Sequence, residues 1–150
     1  MKAIATLTFV SLLALGCGPA MNAESGEDQK RAGALSAPPS TLHHDRVDRS
    51  AGDATDWKTF TVSAEGTAVK LAIWWDSPEV DATVSLVDVF GATHHTLQHQ
   101  RGVRQEGWAA VPVSAGAWFL RVEASGGASV YTLEWSLVSS APGGAPPRPF

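Results

Sequence analysis

The chain has 150 residues, room for one domain with tails but hardly for two. Charged residues at 17% and hydrophobic ones at 44% give the balance of a globular protein rather than a disordered one. A formal net charge of −4 with no basic stripe speaks against a nucleic-acid partner, and a single cysteine rules out an intramolecular disulfide.

The first element is a leader. Met1 and Lys2 give a positive start, and residues 3–15 form an uncharged, mainly apolar run. As a helix this run reaches only about 20 Å, short of the roughly 30 Å of a bilayer core. It therefore suits the apolar core of a signal peptide and not a membrane span. The run ends at Leu13-Ala14-Leu15-Gly16-Cys17, which resembles the lipobox of bacterial lipoproteins. The resemblance implies cleavage before Cys17, with residues 1–16 removed and Cys17 carrying the acyl anchor. Gly16 matches the small residue before the cut; Ala14 stands where the family usually has Leu. The other reading is an ordinary secretory signal, cut after a small-x-small stretch such as Gly18-Pro19-Ala20. A multiply acylated cysteine meets the need for more than one chain in stable anchoring. Gly18 after the cysteine, rather than Asp, implies the outer membrane under the sorting rule of many Gram-negative lipoproteins. The expected location is the cell envelope.

Residues 17–44 read as the lipidated cysteine and a disordered tether, rich in Gly, Ala, Ser and Pro and without apolar periodicity. About 27 such residues have a root-mean-square reach of roughly 30 Å. Residues 139–150 read as a second disordered stretch of Pro and Gly.

Between them, residues 45–138 show period two. Val69, Leu71, Ile73 and Trp75 alternate with Ala68, Lys70, Ala72 and Trp74; Val84 and Leu86 alternate with Thr83, Ser85 and Val87. Trp118, Leu120 and Val122 alternate with Phe119, Arg121 and Glu123, and Tyr131, Leu133, Trp135 and Leu137 with Val130, Thr132, Glu134 and Ser136. Turn signals separate these runs at Gly66, Asp76-Ser77-Pro78, Gly91, Gly116 and Gly126-Gly127. The pattern predicts an all-β fold, a single β-sandwich of jelly-roll type with six or seven strands. Trp57, Trp75, Trp118 and Trp135 lie in the apolar registers and are assigned to the core.

The order Asp56-Trp57-Lys58-Thr59-Phe60-Thr61-Val62, a Val-x-Leu-x-Ile strand, Asp81, then Val84-x-Leu-x-Asp88 with Gly91 resembles the bacterial pre-peptidase C-terminal domain. Ala115-Gly116-Ala117-Trp118-Phe119-Leu120-Arg121-Val122 and Tyr131-Thr132-Leu133 match its closing elements. The resemblance implies a β-sandwich that aids secretion, maturation or substrate binding without catalysis. No peptidase accompanies it within these residues, which leaves binding or scaffolding. The expected function is a lipid-anchored, non-catalytic module contacting an envelope protein or glycan. The alternative is a structural or assembly subunit of an envelope complex.

No catalytic residue is assigned, since no nucleophile elbow, metalloprotease helix or phosphate loop is present. In His94-His95-Thr96-Leu97-Gln98-His99 the two same-face histidines, His95 and His99, stand about 13 Å apart along a strand, too far to share one zinc ion. No cofactor is expected. The candidate metal is calcium, at Asp53, Asp56 and Asp81, because acidic loops offer it oxygens and collagenase-linked relatives of the resembled family bind it near the domain's start. The competing reading is that these aspartates cap turns. Trp74 points away from the apolar register of its own strand, beside Lys70 and Ala72. It is the candidate ligand-binding residue, although burial under a neighbouring loop is the reading favoured by the sequence.

Overall fold

The computed structural model describes residues 28–140; the leader, Cys17 and residues 141–150 lie outside the described residues. Nine strands follow in chain order: β1 (Leu35–Ser36), β2 (Leu42–Asp48), β3 (Thr55–Val62), β4 (Thr67–Trp75), β5 (Asp81–Asp88), β6 (Thr93–Gln98), β7 (Gln105–Val113), β8 (Gly116–Gly126) and β9 (Ala128–Ser139). They form one sheet ordered β1-β3-β8-β5-β6 and a second ordered β2-β9-β4-β7. All pairings are antiparallel except the short parallel contact of β1 with β3. The molecule is the expected β-sandwich, with nine strands instead of six or seven. Among the described residues the one helical element is a 3-10 turn at Arg31–Gly33.

The period-two registers account for most of the core. Val69, Leu71, Ile73 and Trp75 of β4, Trp118, Leu120 and Val122 of β8, and Tyr131, Leu133 and Trp135 of β9 all face inward and are buried. They meet Val84 and Leu86 of β5 and Trp108 and Val113 of β7 in one cluster. Phe60 stacks on Trp135 with ring centroids 4.1 Å apart. The single sequence-adjacent hairpin, β5–β6, turns on Gly91 at φ +91°, a conformation that an L side chain resists. The Asp88 carboxylate caps that turn, accepting from the Phe90 and Ala92 amides at 2.9 and 2.8 Å.

Two expectations are corrected. The tether does not run to residue 44: residues 28–44 hold the 3-10 turn, β1 and the start of β2, with Asp28 and Ala37 buried. Backbone pairing holds the segment in place, through β1 on β3 and the Trp57 amide donating to the Asp28 carbonyl at 2.9 Å, and leaves no apolar periodicity in the sequence. In β3 the face is reversed. Trp57 lies half-buried on the outer face, edge-on to Phe119 and beneath the Arg121 guanidinium. Asp56, Lys58, Phe60 and Val62 point into the sandwich instead. Two charged side chains can occupy core positions only where partners satisfy them, and those partners define the interior site below.

Candidate functional site

Two arrangements of polar side chains stand out, one inside the sandwich and one on its surface. The interior one starts from β3, whose inward face begins with Asp56 and Lys58. The Lys58 ammonium donates to Asp28 Oδ2 at 2.7 Å and to Asp45 Oδ2, both also buried. Tyr131, on β9 of the opposite sheet, donates its hydroxyl to Asp56 Oδ2 at 2.7 Å. Asp28, Asp45 and Asp56 each place a carboxylate oxygen within 4.8 Å of the others. The N-terminal segment, β2, β3 and β9 are thus tied together by one ionic knot.

Its electrostatics follow from burial. Loss of water, then the charge of Asp45, pushes the Asp56 carboxyl up from 3.8 to about 8, against the opposing hydrogen bond from Tyr131 and the Lys58 charge. Burial pulls the Lys58 ammonium down, but its hydrogen bonds to Asp28 and Asp45 outweigh that and hold it above the ordinary lysine value. Burial, followed by the nearby Asp56 charge, raises the Tyr131 phenol well above 10.0.

The three aspartates proposed for calcium do not come together. Asp56 enters the knot, but its companions there are Asp28 and Asp45, not Asp53 and Asp81. Asp81, at the far end of β5, is held in a two-point pair by Arg101, with Nε to Oδ1 at 2.7 Å, and this pair holds its carboxyl below the ordinary value. Asp53 sits beside the knot, where burial raises its carboxyl and Gln29 hydrogen-bonds it in opposition. Calcium requires six to eight oxygens at 2.3–2.6 Å. Here the ammonium of Lys58 lies between two of the three carboxylates and the Tyr131 hydroxyl engages the third. The residues present do not suit a calcium ion. Asp48, in the same acidic stretch, caps a turn: its Oδ1 accepts from the Ser50 and Ala51 amides at 3.0 and 3.1 Å.

The histidines of β6, with His99 just beyond it, make contacts to three tryptophans. His94 lies edge-on to Trp118, His95 edge-on to Trp108, and His99 against Trp75. His99 is buried, with its ring nitrogens facing a Glu106 carboxylate oxygen and the Pro78 carbonyl. Glu106 also accepts from Trp75 Nε1 at 2.8 Å, closing that end of the core.

The surface arrangement is built on β4. Its outward side chains, Lys70, Ala72 and Trp74, face a groove of about 290 Å³ on the outer side of the four-stranded sheet. Strand pairing sets the walls. Glu134 of β9 stands opposite Ala72, and Gln105 of β7 stands opposite Trp74. Ala72, the small outward residue between Lys70 and Trp74, keeps the floor low beside the indole. Trp74 is half-buried and not covered as expected. The groove therefore offers an aromatic wall, a small apolar floor, and an ammonium, a carboxylate and an amide at its rim. Lys70 was legible beside Trp74 on the same strand, whereas Gln105 and Glu134 were not, because they reach the groove only through pairing of strands distant in the chain. The available signal was the outward parity of Lys70, Trp74 and Glu134 in their own strands.

No protein-family model matches the chain, and no curated protein matches it. Among solved structures, the pre-peptidase C-terminal domain of a collagenase from Bacillus anthracis is similar at 20% identity and a TM-score of 0.53. The match covers 69% of this chain and 94% of that domain. A periplasmic inhibitor of g-type lysozyme from Aeromonas hydrophila follows at 15% identity and a TM-score of 0.48, over 70% of this chain and 96% of that one. The structure of TmCBM61 in complex with β-1,4-galactotriose matches at 11% identity and a TM-score of 0.38, over 64% and 68%. The domain thus has the fold of a pre-peptidase C-terminal domain, as the sequence motifs implied, and likeness at this level speaks for the fold alone.

Proposed function

We propose that this chain is a non-catalytic binding module, held on the bacterial outer membrane by acylation of Cys17, that engages an envelope glycan or protein through the Trp74 groove. The observation that carries this reading is the groove itself: the half-buried Trp74 indole beside Ala72, with Lys70, Gln105, Glu134 and Ser136 around it. A flat aromatic face stacks on a sugar ring or an apolar side chain, and the rim groups hydrogen-bond what surrounds it. The buried groups suited to acid–base chemistry support a non-catalytic role, because they are paired with one another inside the sandwich: Asp56 with Tyr131, Lys58 with Asp28 and Asp45, His99 with Glu106.

The expected result is that soluble peptidoglycan fragments quench the intrinsic tryptophan fluorescence of the wild type in a saturable way. Trp74→Ala abolishes that response while its melting temperature stays close to wild type. Unchanged binding by the variant removes the groove from the reading. A second reading, assembly with a membrane-protein partner, is favoured by Val89 and Phe90 at the tip of the β5–β6 turn, where Phe90 is 91% exposed. In a pull-down from detergent-solubilised envelope, a stoichiometric membrane protein lost with Phe90→Ser, but kept with Trp74→Ala, selects that reading.

The anchor is tested separately. Cys17→Ser is expected to move the protein from the membrane to the soluble fraction and to abolish labelling by an alkyne fatty acid. A variant that fractionates and labels like wild type removes the lipid from the proposal.

A further inference from the structure

We propose that the tip of the β5–β6 turn, Val89 and Phe90 with Arg31 beside them, inserts into the surface of an anionic bilayer and stands the Trp74 groove away from it. The inference rests on the anchored reading above, which puts the domain at a membrane. Eleven residue steps lead from Cys17 to Asp28, the first described residue, and they span at most about 40 Å. The sandwich therefore stays within reach of the surface that holds Cys17.

Phe90 is 91% exposed and Val89 49%, side by side at a turn, where small polar residues are the rule. A single exposed apolar residue is ordinary, but two together on a projecting turn form a wedge. Hydrogen bonds hold the wedge in shape. The Gly91 amide donates to the Asp88 carbonyl and the Asp88 amide to the Ala92 carbonyl, each at 3.0 Å. The Asp88 carboxylate is engaged by the Phe90 and Ala92 amides and by His94, so it faces into the turn. The cation comes from the N-terminal segment. Arg31 packs over the Phe119 ring, 5.5 Å from its centroid, and its Nη1 lies 3.1 Å from where a Cβ on Gly91 would stand. Lys30 precedes it and is also exposed. An apolar wedge beside basic side chains suits acyl chains under phosphate headgroups. Because these cations lie on the segment that leads to Cys17, a lipid surface is favoured over a pocket on another protein.

The orientation follows from β4. Its first residue, Thr67, shares a hollow with His94, Ser114 and Trp118, and His94 bonds Asp88 at the base of the tip. Trp74 lies seven residues further on, about 23 Å along the strand. A seated tip thus turns the groove toward the space beyond the membrane.

The experiment reconstitutes the full chain, purified from membranes in detergent, into vesicles of phosphatidylethanolamine and phosphatidylglycerol with brominated acyl chains. Phe90→Trp is expected to add a blue-shifted emission that the bromines quench. Lys30→Gln combined with Arg31→Gln, or vesicles of brominated phosphatidylcholine alone, should weaken that quenching. Trp74→Phe in the Phe90→Trp background should leave the quenched component unchanged. A chain that does not float with the vesicles, whatever stands at position 90, overturns the anchored reading and this proposal with it. A chain that floats while the Phe90→Trp emission stays unquenched overturns the tip alone. Capture of a membrane protein that depends on Phe90, without lipid quenching, gives the tip to a protein partner and equally overturns the lipid seat.

Discussion

Asp56→Asn is expected to stabilise the protein at pH 8 and to flatten its stability between pH 5 and pH 8. In the folded chain, burial and the neighbouring Asp45 hold the proton on Asp56 up to about 8, whereas its ordinary value is 3.8. Between those values the folded state carries one more proton than the unfolded state, so stability falls as pH rises. The contribution is fully present below about pH 4 and is lost as pH climbs through 8. For one proton the slope reaches about 1.4 kcal/mol per pH unit. Asparagine is neutral throughout, and its carbonyl oxygen can still accept from the Tyr131 hydroxyl, so the slope should shrink and the hydrogen bond should survive. Asp53, also raised by burial, leaves a residual slope of the same sign. The acid side behaves oppositely. Asp48, Asp81 and Asp88 are held below 3.8, chiefly by hydrogen bonds from Ser50, Arg101 and His94, so their stabilisation is present above that value and disappears as pH falls through it. Urea melts at pH 5 and pH 8 check the expectation. A variant weaker than wild type at pH 8, or with an undiminished slope, contradicts the raised carboxyl.

The strands that sequence inspection finds most readily are those whose two faces differ in polarity. β8 reads Trp-Phe-Leu-Arg-Val-Glu and β9 reads Tyr-Thr-Leu-Glu-Trp-Ser, so parity alone identifies the buried face, and the structure agrees. β3 defeats the same rule. Trp57 is its largest apolar residue, yet Asp56 and Lys58 face inward because their partners satisfy them. Those partners lie 30 residues away for Asp28, 13 for Asp45 and 75 for Tyr131. No local pattern carries that information. Edge strand β7 is hidden for a different reason, since Gly107 and Pro112 weaken any strand signal. An edge position tolerates proline because one side of the strand needs no ladder partner.

The surface site divides in the same way. Trp74 is visible as a large residue on the polar side of its strand, and its role as a candidate was legible from that alone. The remainder of the groove was not, because Glu134 and Gln105 reach it through the pairings β4–β9 and β4–β7. Sheet order is a property of the whole fold. The acidic groups were legible as a cluster before the first long strand, but which of them converge depended on the path of residues 28–44 along the sheet edge.

Trp135→Ala is expected to cost about 3–5 kcal/mol, the range for removing a large aromatic side chain from a packed core. Trp135 is fully buried, stacks on Phe60 and joins the central cluster between the sheets. Trp135→Phe should behave differently. The Trp135 ring nitrogen is buried with no hydrogen-bond partner, so phenylalanine removes an unsatisfied donor as well as some volume. At Trp75 the ring nitrogen donates to Glu106 at 2.8 Å, and the same carboxylate holds buried His99. Phenylalanine there strands part of a polar network in addition to shrinking the core. Chemical denaturation should therefore rank Trp135→Phe as the mildest of the three changes, with Trp75→Phe clearly worse and Trp135→Ala unfolding at the lowest denaturant concentration. Equal losses for the two phenylalanine variants would mean that volume alone governs these positions. The difference between them is then the measure of what the Trp75–Glu106–His99 network contributes.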